Sequence, residues 1–487
     1  MSSAVAGPCD AEIAAAAVPC STPHPRATLA ATILGSSLAF IDGSVVNVAL
    51  PAIAGDLGAS SAQLSWTINA YLLPFGALML LGGGAGDHFG RRRLFLIGLT
   101  VFTLASILCA AAPTLGWLLA ARCLQGLGAA LLMPNSLAIL GSAFSHEARG
   151  RAIGIWAAAG AIAGALGPLV GGWLVDVIGW RMIFFINIPI AAPAAYLTWK
   201  YISESKDRRR SPSLDWAGAG CATLALGLLT WSLTAAATAS APATWPWLAA
   251  LAGFVLFGAF LWLERIRGQN AIMPLAMFGT QTFIGITLLT FFLYGSLSGL
   301  MVLLPFLLIR VAHYSAIAAG AALLPLPIVI GLGSPLMGRI TARIGGKLPL
   351  AIGAGLVAMG LALYARIGVD RMDYWSDVLP AILLVAIGMG ICVAPLTTTV
   401  ITSVDVGHVG AASGFNSAVA RIAGLIATAL LGFVFLRQGS AELFASGFRI
   451  AALIGAGSAA IACGCALLFV SHAADGGAPR RSPANVA

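Results

Sequence analysis

Apolar runs of about twenty residues, separated by short polar turns, recur from Ala27 to Val470, and a run of that length is what a helix needs to cross the hydrocarbon of a bilayer. In order they cover Ala27 to Leu50, Leu64 to Gly86, Leu94 to Ala112, Leu115 to Ala143, Ala152 to Val177 and Met182 to Ile202. Two more, Trp216 to Ser240 and Trp245 to Leu263, follow a basic loop at Lys200 to Arg210. Six close the chain: Phe283 to Ile309, Ala316 to Ile340, Leu348 to Ile367, Val378 to Ser403, Val409 to Leu436 and Ala445 to Val470. The pattern predicts an all-α polytopic membrane protein with fourteen spans grouped as six, two and six. Residues 27–202 form one six-helix half, 203–270 the basic loop with two linker helices, and 271–470 the second half. Residues 1–26 and 471–487 are expected to be tails. The apolar signal is thinnest at Ala235 to Ala243, where Ala and Thr dilute it.

Polar positions inside these runs carry the functional information. The first run holds Asp42 and Asn47 and leads into Pro51. An ionisable side chain near a bilayer centre costs about 2.5–3.5 kcal/mol on insertion scales, so it is a functional candidate by default. At 100° per residue Asp42 and Asn47 lie about 500° apart and do not share one narrow helix face. Burial and a nearby cation act in opposite directions on a carboxylate, and their competition can bring it into the range where it exchanges protons. Arg122 in the fourth run must likewise face the bundle interior and a partner, either for proton transfer or its electrostatics or only to brace helices; Asp42 is thus expected to be a proton-coupling or gating carboxylate, or else a structural acid, with Arg122 as a candidate modulator.

Composition agrees with this reading: 59% of residues are hydrophobic, 9% are charged and the mean hydropathy is +0.95. A soluble domain carries about a quarter charged residues. The net charge of +9 does not point to nucleic acid, because of where the cations sit. Eighteen of the 26 Lys and Arg fall on the side of the N-terminus, six on the other, and Arg122 and Arg421 lie within spans. The positive-inside rule then puts both termini in the cytoplasm and the chain in the inner membrane. Residues 1–26 have no basic residue before Arg26 and so lack the charged start of a signal peptide. The eight cysteines include no CxxC pair and read as small core residues.

Gly83 to Arg93 contains GxGxxxG, but a membrane helix precedes it where a nucleotide-binding loop needs a strand. A tight turn with close helix approach, in which Asp87 pairs with Arg or a helix N-terminus, accounts for it better. Gly83, Gly90 and Arg92 recur as Gly338, Gly345 and Lys347, each 255 positions later, which is the mark of repeated halves with a substrate site between them. In the fifth run Gly160, Gly164, Gly167, Pro168, Gly171 and Gly172 permit close packing and a proline bend.

These stretches resemble the major facilitator superfamily. Gly83 to Arg92 is similar to its GxLADRxGRK loop, with His88 in place of the usual Arg; the resemblance implies that Asp87 and Arg91 form a gating charge network. The second copy keeps Gly338, Arg343, Gly345 and Lys347 but has Ala342 where the acid falls, so gating control is expected mainly in the first half. Arg122, Gln125, Gly126, Gly128 and Ala129 resemble RxxQGxGAA. The GPxxGG core at Gly167 to Gly172 resembles the antiporter motif of drug exporters, with Ala163 replacing its first glycine. Phe40 to Pro51, Gly179 to Pro189 (with Met182 replacing a usual Trp) and Gly410, Ser413, Gly414, Asn416, Arg421 and Gly424 resemble the fourteen-span drug:proton antiporters.

The resemblance implies a major facilitator fold and proton-coupled efflux of small amphipathic compounds by alternating access. The proton gradient is the energy source, no cofactor or metal is involved, and a monomer is expected. Its partners are the small-molecule substrate, protons and the lipid bilayer. A proton-coupled metabolite or nutrient symporter is the alternative, against which the GPxxGG core argues. There is no GxxxxGK[ST] loop for ATP and no GxSxG or HExxH for an intramembrane hydrolase. A receptor would carry a sizeable extramembrane domain. His313 and His408, without a second ligand at metal spacing, read as surface or capping residues. Asp176 and Arg181 could pair or be solvated. The threonines at 397, 398, 399 and 402 are expected to bond backbone carbonyls within their helix. Trp66, Tyr71, Trp156, Phe291, Phe292 and Tyr294 could line a cavity, although aromatics at span ends are more often interfacial anchors.

Overall fold

The computed structural model describes residues 22–59, 61–144, 146–206, 215–238, 244–268, 275–367, 372–404, 409–431, 434 and 441–471. His408 and most of the two tails lie outside them. The helices of the first half are α1 (Pro25–Leu57), α2 (Ser61–Phe89), α3 (Arg91–Ala110), α4 (Leu115–Ala143), α5 (His146–Val177) and α6, which is broken into Met182–Phe185 and Asn187–Tyr201. The linker helices are α7 (Trp216–Thr238) and α8 (Thr244–Arg267). The second half holds α9 (Gln281–Arg310), α10 (Ala316–Ala322 and Pro325–Ile344), α11 (Lys347–Leu363), α12 (Leu379–Thr402), α13 (Val409–Leu430) and α14 (Ala441–Phe469).

Among the described residues twelve helices are long and apolar enough to cross a membrane, and α2 makes a thirteenth if its two segments, bent by 53° between Met79 and Leu81, count as one span. The apolar stretch of α13, Gly414–Leu430, is shorter. The count from the sequence, fourteen, is therefore matched only when α13 is included. Helix starts follow local chemistry. Pro25 at the first turn lacks the N–H that would be orphaned there, so α1 begins within residues expected to belong to the N-terminal tail. Thr114, Thr280 and Ser315 each accept a backbone N–H from the first turn of α4, α9 and α10. Pro325, which has no N–H to continue the preceding turn, marks the break in α10.

Packing distinguishes the two ends of the bundle. At the end that bears the Gly83–Arg93 turn, the first six helices bury their own apolar cluster, built from residues such as Leu38, Phe75, Phe95, Phe102, Leu132 and Ile139. Toward the opposite end, Val45, Ile53, Leu64, Leu118 and Phe184 join one continuous core with Leu304, Leu307, Leu350 and Phe448 of the second half. The halves are thus fused at the end opposite the turn. The linker pair packs together, and α7 also lies against α2 of one half and α13 of the other. At the turn end Asp215 accepts from Gly218 N–H at the start of α7 and from Arg267 at the end of α8, tying the pair together.

Candidate functional site

The RxxQGxGAA stretch shows how glycine positions a charge. A Cβ on Gly126 would run into the Tyr71 carbonyl of α2, and one on Gly128 would stand 2.7 Å from Phe102 N of α3. With no side chain at either position, α4 lies backbone to backbone against both neighbours. Arg122 and Gln125, one turn earlier, are thereby pushed into the space enclosed by α1, α2 and α3, where both are fully buried.

There they meet Asp42. Arg122 Nη1 lies 2.5 Å from Asp42 Oδ2 and donates to Gln125 Oε1 at 2.7 Å, while its Nε donates to the Thr67 carbonyl at 3.0 Å. Gln125 Nε2 donates to Asp42 Oδ1 at 2.8 Å and to Ser106 Oγ at 2.9 Å, and Asn187 Nδ2 donates to the same hydroxyl at 3.1 Å. The guanidinium also lies 4.4 Å from the centroid of the Tyr71 ring. Five helices, α1, α2, α3, α4 and α6, therefore converge on one pair of opposite charges. Removing Asp42 would strand the guanidinium in a medium where an unpaired charge costs about 3–5 kcal/mol.

The pair forms one wall of a cavity of about 310 Å³ between the halves. Asp42, Asn47, Tyr71 and Arg122 line it from the first half, Pro168 from α5, Leu297, Ser298 and Met301 from α9, Leu326 and Ile330 from α10, and Arg421 from α13. Asp42 and Asn47 do not share one narrow face of α1, yet the cavity reaches far enough around the helix to touch both. Tyr71 belongs to the cavity wall, whereas Trp156 packs on Phe40 and donates to Ser36 Oγ away from it.

Arg421 takes a different kind of support. Its guanidinium lies 4.7 Å from the Phe75 centroid, and Phe75 in turn lies 5.5 Å from Tyr71, one turn back on α2. Two neighbouring, mutually tilted rings thus carry one arginine each. At this crossing a Cβ on Gly76 would stand 3.2 Å from Arg421 Cβ, so the glycine lets the arginine stem sit against the α2 backbone. Neither the ring platform nor Gly76 was read from the sequence; the i, i+4 aromatic pair at 71 and 75 was the available signal.

The Gly83–Arg93 turn holds Asp87 and Arg91 in an ion pair at 2.9 Å. Gly90 has φ +115, a conformation that only glycine adopts without strain. An acid that sequence reasoning passed over sits beside it. Glu204, in the loop after α6, accepts from the backbone N–H groups of Arg92 and Arg93 at 3.0 and 3.1 Å and so caps α3, while Arg92 Nη2 donates to the Trp199 carbonyl at 2.6 Å. An acid inside a basic stretch, shared there only with Asp207, was its only mark in the sequence. In the second copy, Gly338 approaches Ala394, Gly345 ends α10 with φ +81, and Lys347 opens α11. Among the described residues neither Arg343 nor Lys347 has an ion-pair partner.

The glycines of α5 face two helices. Gly160 lies against Phe40, Gly167 against Ser44 and Ile41, and Gly171 against Val45, all on α1. Gly172 lies against Ala316, and Gly320 returns the contact on Pro168, joining α5 to α10 of the other half. Asp176 then accepts from Ala316 and Ile317 N–H at 3.1 and 2.8 Å, capping α10 at the fused end. Arg181 instead pairs with Asp56 at 2.5 Å, so the contemplated Asp176–Arg181 pair is replaced by two separate contacts. Thr397, Thr398 and Thr402 bond carbonyls one turn back within α12, as their sequence suggests.

Comparison with known proteins agrees with this geometry. The model of the Major Facilitator Superfamily matches residues 32–428. The multidrug resistance protein Stp of Mycobacterium tuberculosis is 34% identical over 421 residues, covering 85% of this chain and 77% of that protein. The methylenomycin A resistance protein of Bacillus subtilis is 32% identical over 431 residues, covering 85% and 91%. Among solved structures, a D-xylose-proton symporter superposes with a TM-score of 0.64 at 16% identity, over 91% of this chain and 96% of that one, a likeness of fold. Paired halves meeting around a central cavity with charged groups in an apolar wall, and a family match along most of the length, together establish that the chain belongs to the major facilitator superfamily.

Proposed function

We propose that the protein exports small amphipathic compounds across the inner membrane in exchange for protons, acting as a fourteen-span monomer with both termini in the cytoplasm and no cofactor. The observation that carries the reading is the Asp42 carboxylate, buried in the cavity wall and held by Arg122 and Gln125. In the charged form Asp42 accepts both donors. Taking up a proton cancels the charge that holds Arg122, which frees the guanidinium and loosens the five-helix junction, and substrate in the same cavity meets the altered wall. The relatives named for multidrug and antibiotic resistance support export as the direction, and the GPxxGG bend against α1 and α10 supplies a joint between halves on which the cavity can change sides.

A potential of 100 mV and one pH unit provide about 2.3 and 1.4 kcal/mol per proton, enough for a several-hundredfold gradient. Asp87, Arg91 and Glu204 brace the turn between α2 and α3, so in this reading they stiffen the turn end of the first half. The test is proton movement in inverted vesicles on addition of candidate compounds. Substrate-dependent release that vanishes in D42N, with protein still in the membrane, is expected; undiminished proton-driven efflux in D42N would sink the proposal.

A further inference from the structure

We propose that Arg421 is the anchor for an anionic group of the transported molecule, a carboxylate or similar oxyanion on an apolar body. The inference rests on the reading of the cavity as the substrate site.

Arg122 and Arg421 line the same cavity, but their surroundings differ. Arg122 already holds a carboxylate: its Nη1 faces Asp42 and Gln125 and its Nε donates to the Thr67 carbonyl. Arg421 has the Phe75 ring on its face and, among the described residues, no carboxylate within ion-pair distance. A guanidinium whose carbon lies over a ring still has N–H groups for other partners, and its planar fork matches a carboxylate two bonds at a time. The one acid in the wall, Asp42, is occupied by Arg122 and Gln125. The lining charges, one carboxylate and two guanidinium groups, therefore sum to one positive charge.

A cation in an apolar cavity is costly until it finds an opposite charge, and the cost is recovered by whatever ligand supplies it. Leu297, Met301, Leu326 and Ile330 offer the apolar surface for the rest of the molecule. The volume, about 310 Å³, suits a small organic acid. The anchor is stiff because the Arg421 stem rests on the α2 backbone at Gly76. A permanently cationic compound finds no free acid here and meets a like charge.

The test uses the full chain in nanodiscs and three probes of nearly one shape, 1-naphthaleneacetate, its primary amide and (1-naphthylmethyl)trimethylammonium, with binding read by fluorescence titration. Wild type is expected to bind the carboxylate about tenfold or more tighter than the amide, and the ammonium probe most weakly. R421Q should weaken the carboxylate by about ten- to a hundredfold while leaving the amide nearly unchanged; R421K, which keeps a point charge without the fork, should fall between. Equal affinity for acid and amide, preference for the ammonium probe, no saturable binding of the carboxylate, or an equal loss for acid and amide in both variants each overturns the inference. Proton release in vesicles tests the export reading separately. A chain that discriminates the acid through Arg421 yet moves no protons would refute export and keep the anion site.

Discussion

The Asp42–Arg122 pair makes an asymmetric prediction about stability. In D42N the new amide keeps one acceptor oxygen, but its Nδ2 takes the place of an oxygen that now accepts from Arg122 or from Gln125, so two donors meet head-on. Arg122 stays charged because a guanidinium does not deprotonate in proteins, and its burial leaves it short of the charge that offset its desolvation. The expected loss is about 3–5 kcal/mol. In R122M the stranded partner is a carboxyl, which escapes by taking up a proton and still accepts from Gln125, so the loss is about 1–3 kcal/mol. D42N/R122M removes both charges and should recover most of the D42N loss, so the double mutant is far more stable than the sum of the two single losses would make it. Thermal midpoints and reversible detergent unfolding of the full chain at neutral pH measure the order. A D42N protein as stable as R122M would refute the reasoning, since it would mean that the pair does not hold Arg122 in place. Both single variants should also lose substrate-dependent proton release.

Replacing Gly167 by Leu should cost about 1–3 kcal/mol and abolish transport, because Ser44 and Ile41 of α1 occupy the space, whereas G154L, at a glycine with nothing within 4 Å, should be tolerated in both assays. E204A removes the acceptor of two α3 N–H groups and should lower stability by about 0.5–2 kcal/mol; a thermal midpoint identical to wild type would contradict the capping role. D176A removes the acceptor of two α10 N–H groups at the fused end, and a loss of about 1.4 kcal/mol there shifts the balance of access states tenfold. Spin-label distances between α5 and α10 should broaden; an unchanged distribution would show that this contact does not set the state.

The spans were legible in the sequence because a bilayer offers the backbone no hydrogen-bond partner, so every crossing segment must satisfy itself as a helix and announce its length in apolar residues. The suspicion attached to Asp42 and Arg122 had the same origin, the local cost of a charge in an apolar run. The turn at Gly83 to Arg93 was readable as well, since an acid and a base four positions apart across a tight glycine turn lie close without help from the rest of the chain. Partnership across the chain was not. Asp42 and Arg122 are 80 residues apart, and nothing in either run names the other; the glycines at 126 and 128 decide it by letting α4 settle against α2 and α3. Glu204 reads as one more loop residue until α3 begins beside it, and for Asp176 the sequence offers pairing with Arg181 or solvation, not the helix that starts next to it. The difference is one of range: desolvation and helix formation act on each segment by itself, whereas which charge meets which, and which cation is left facing the cavity, depends on how closely the helices pack.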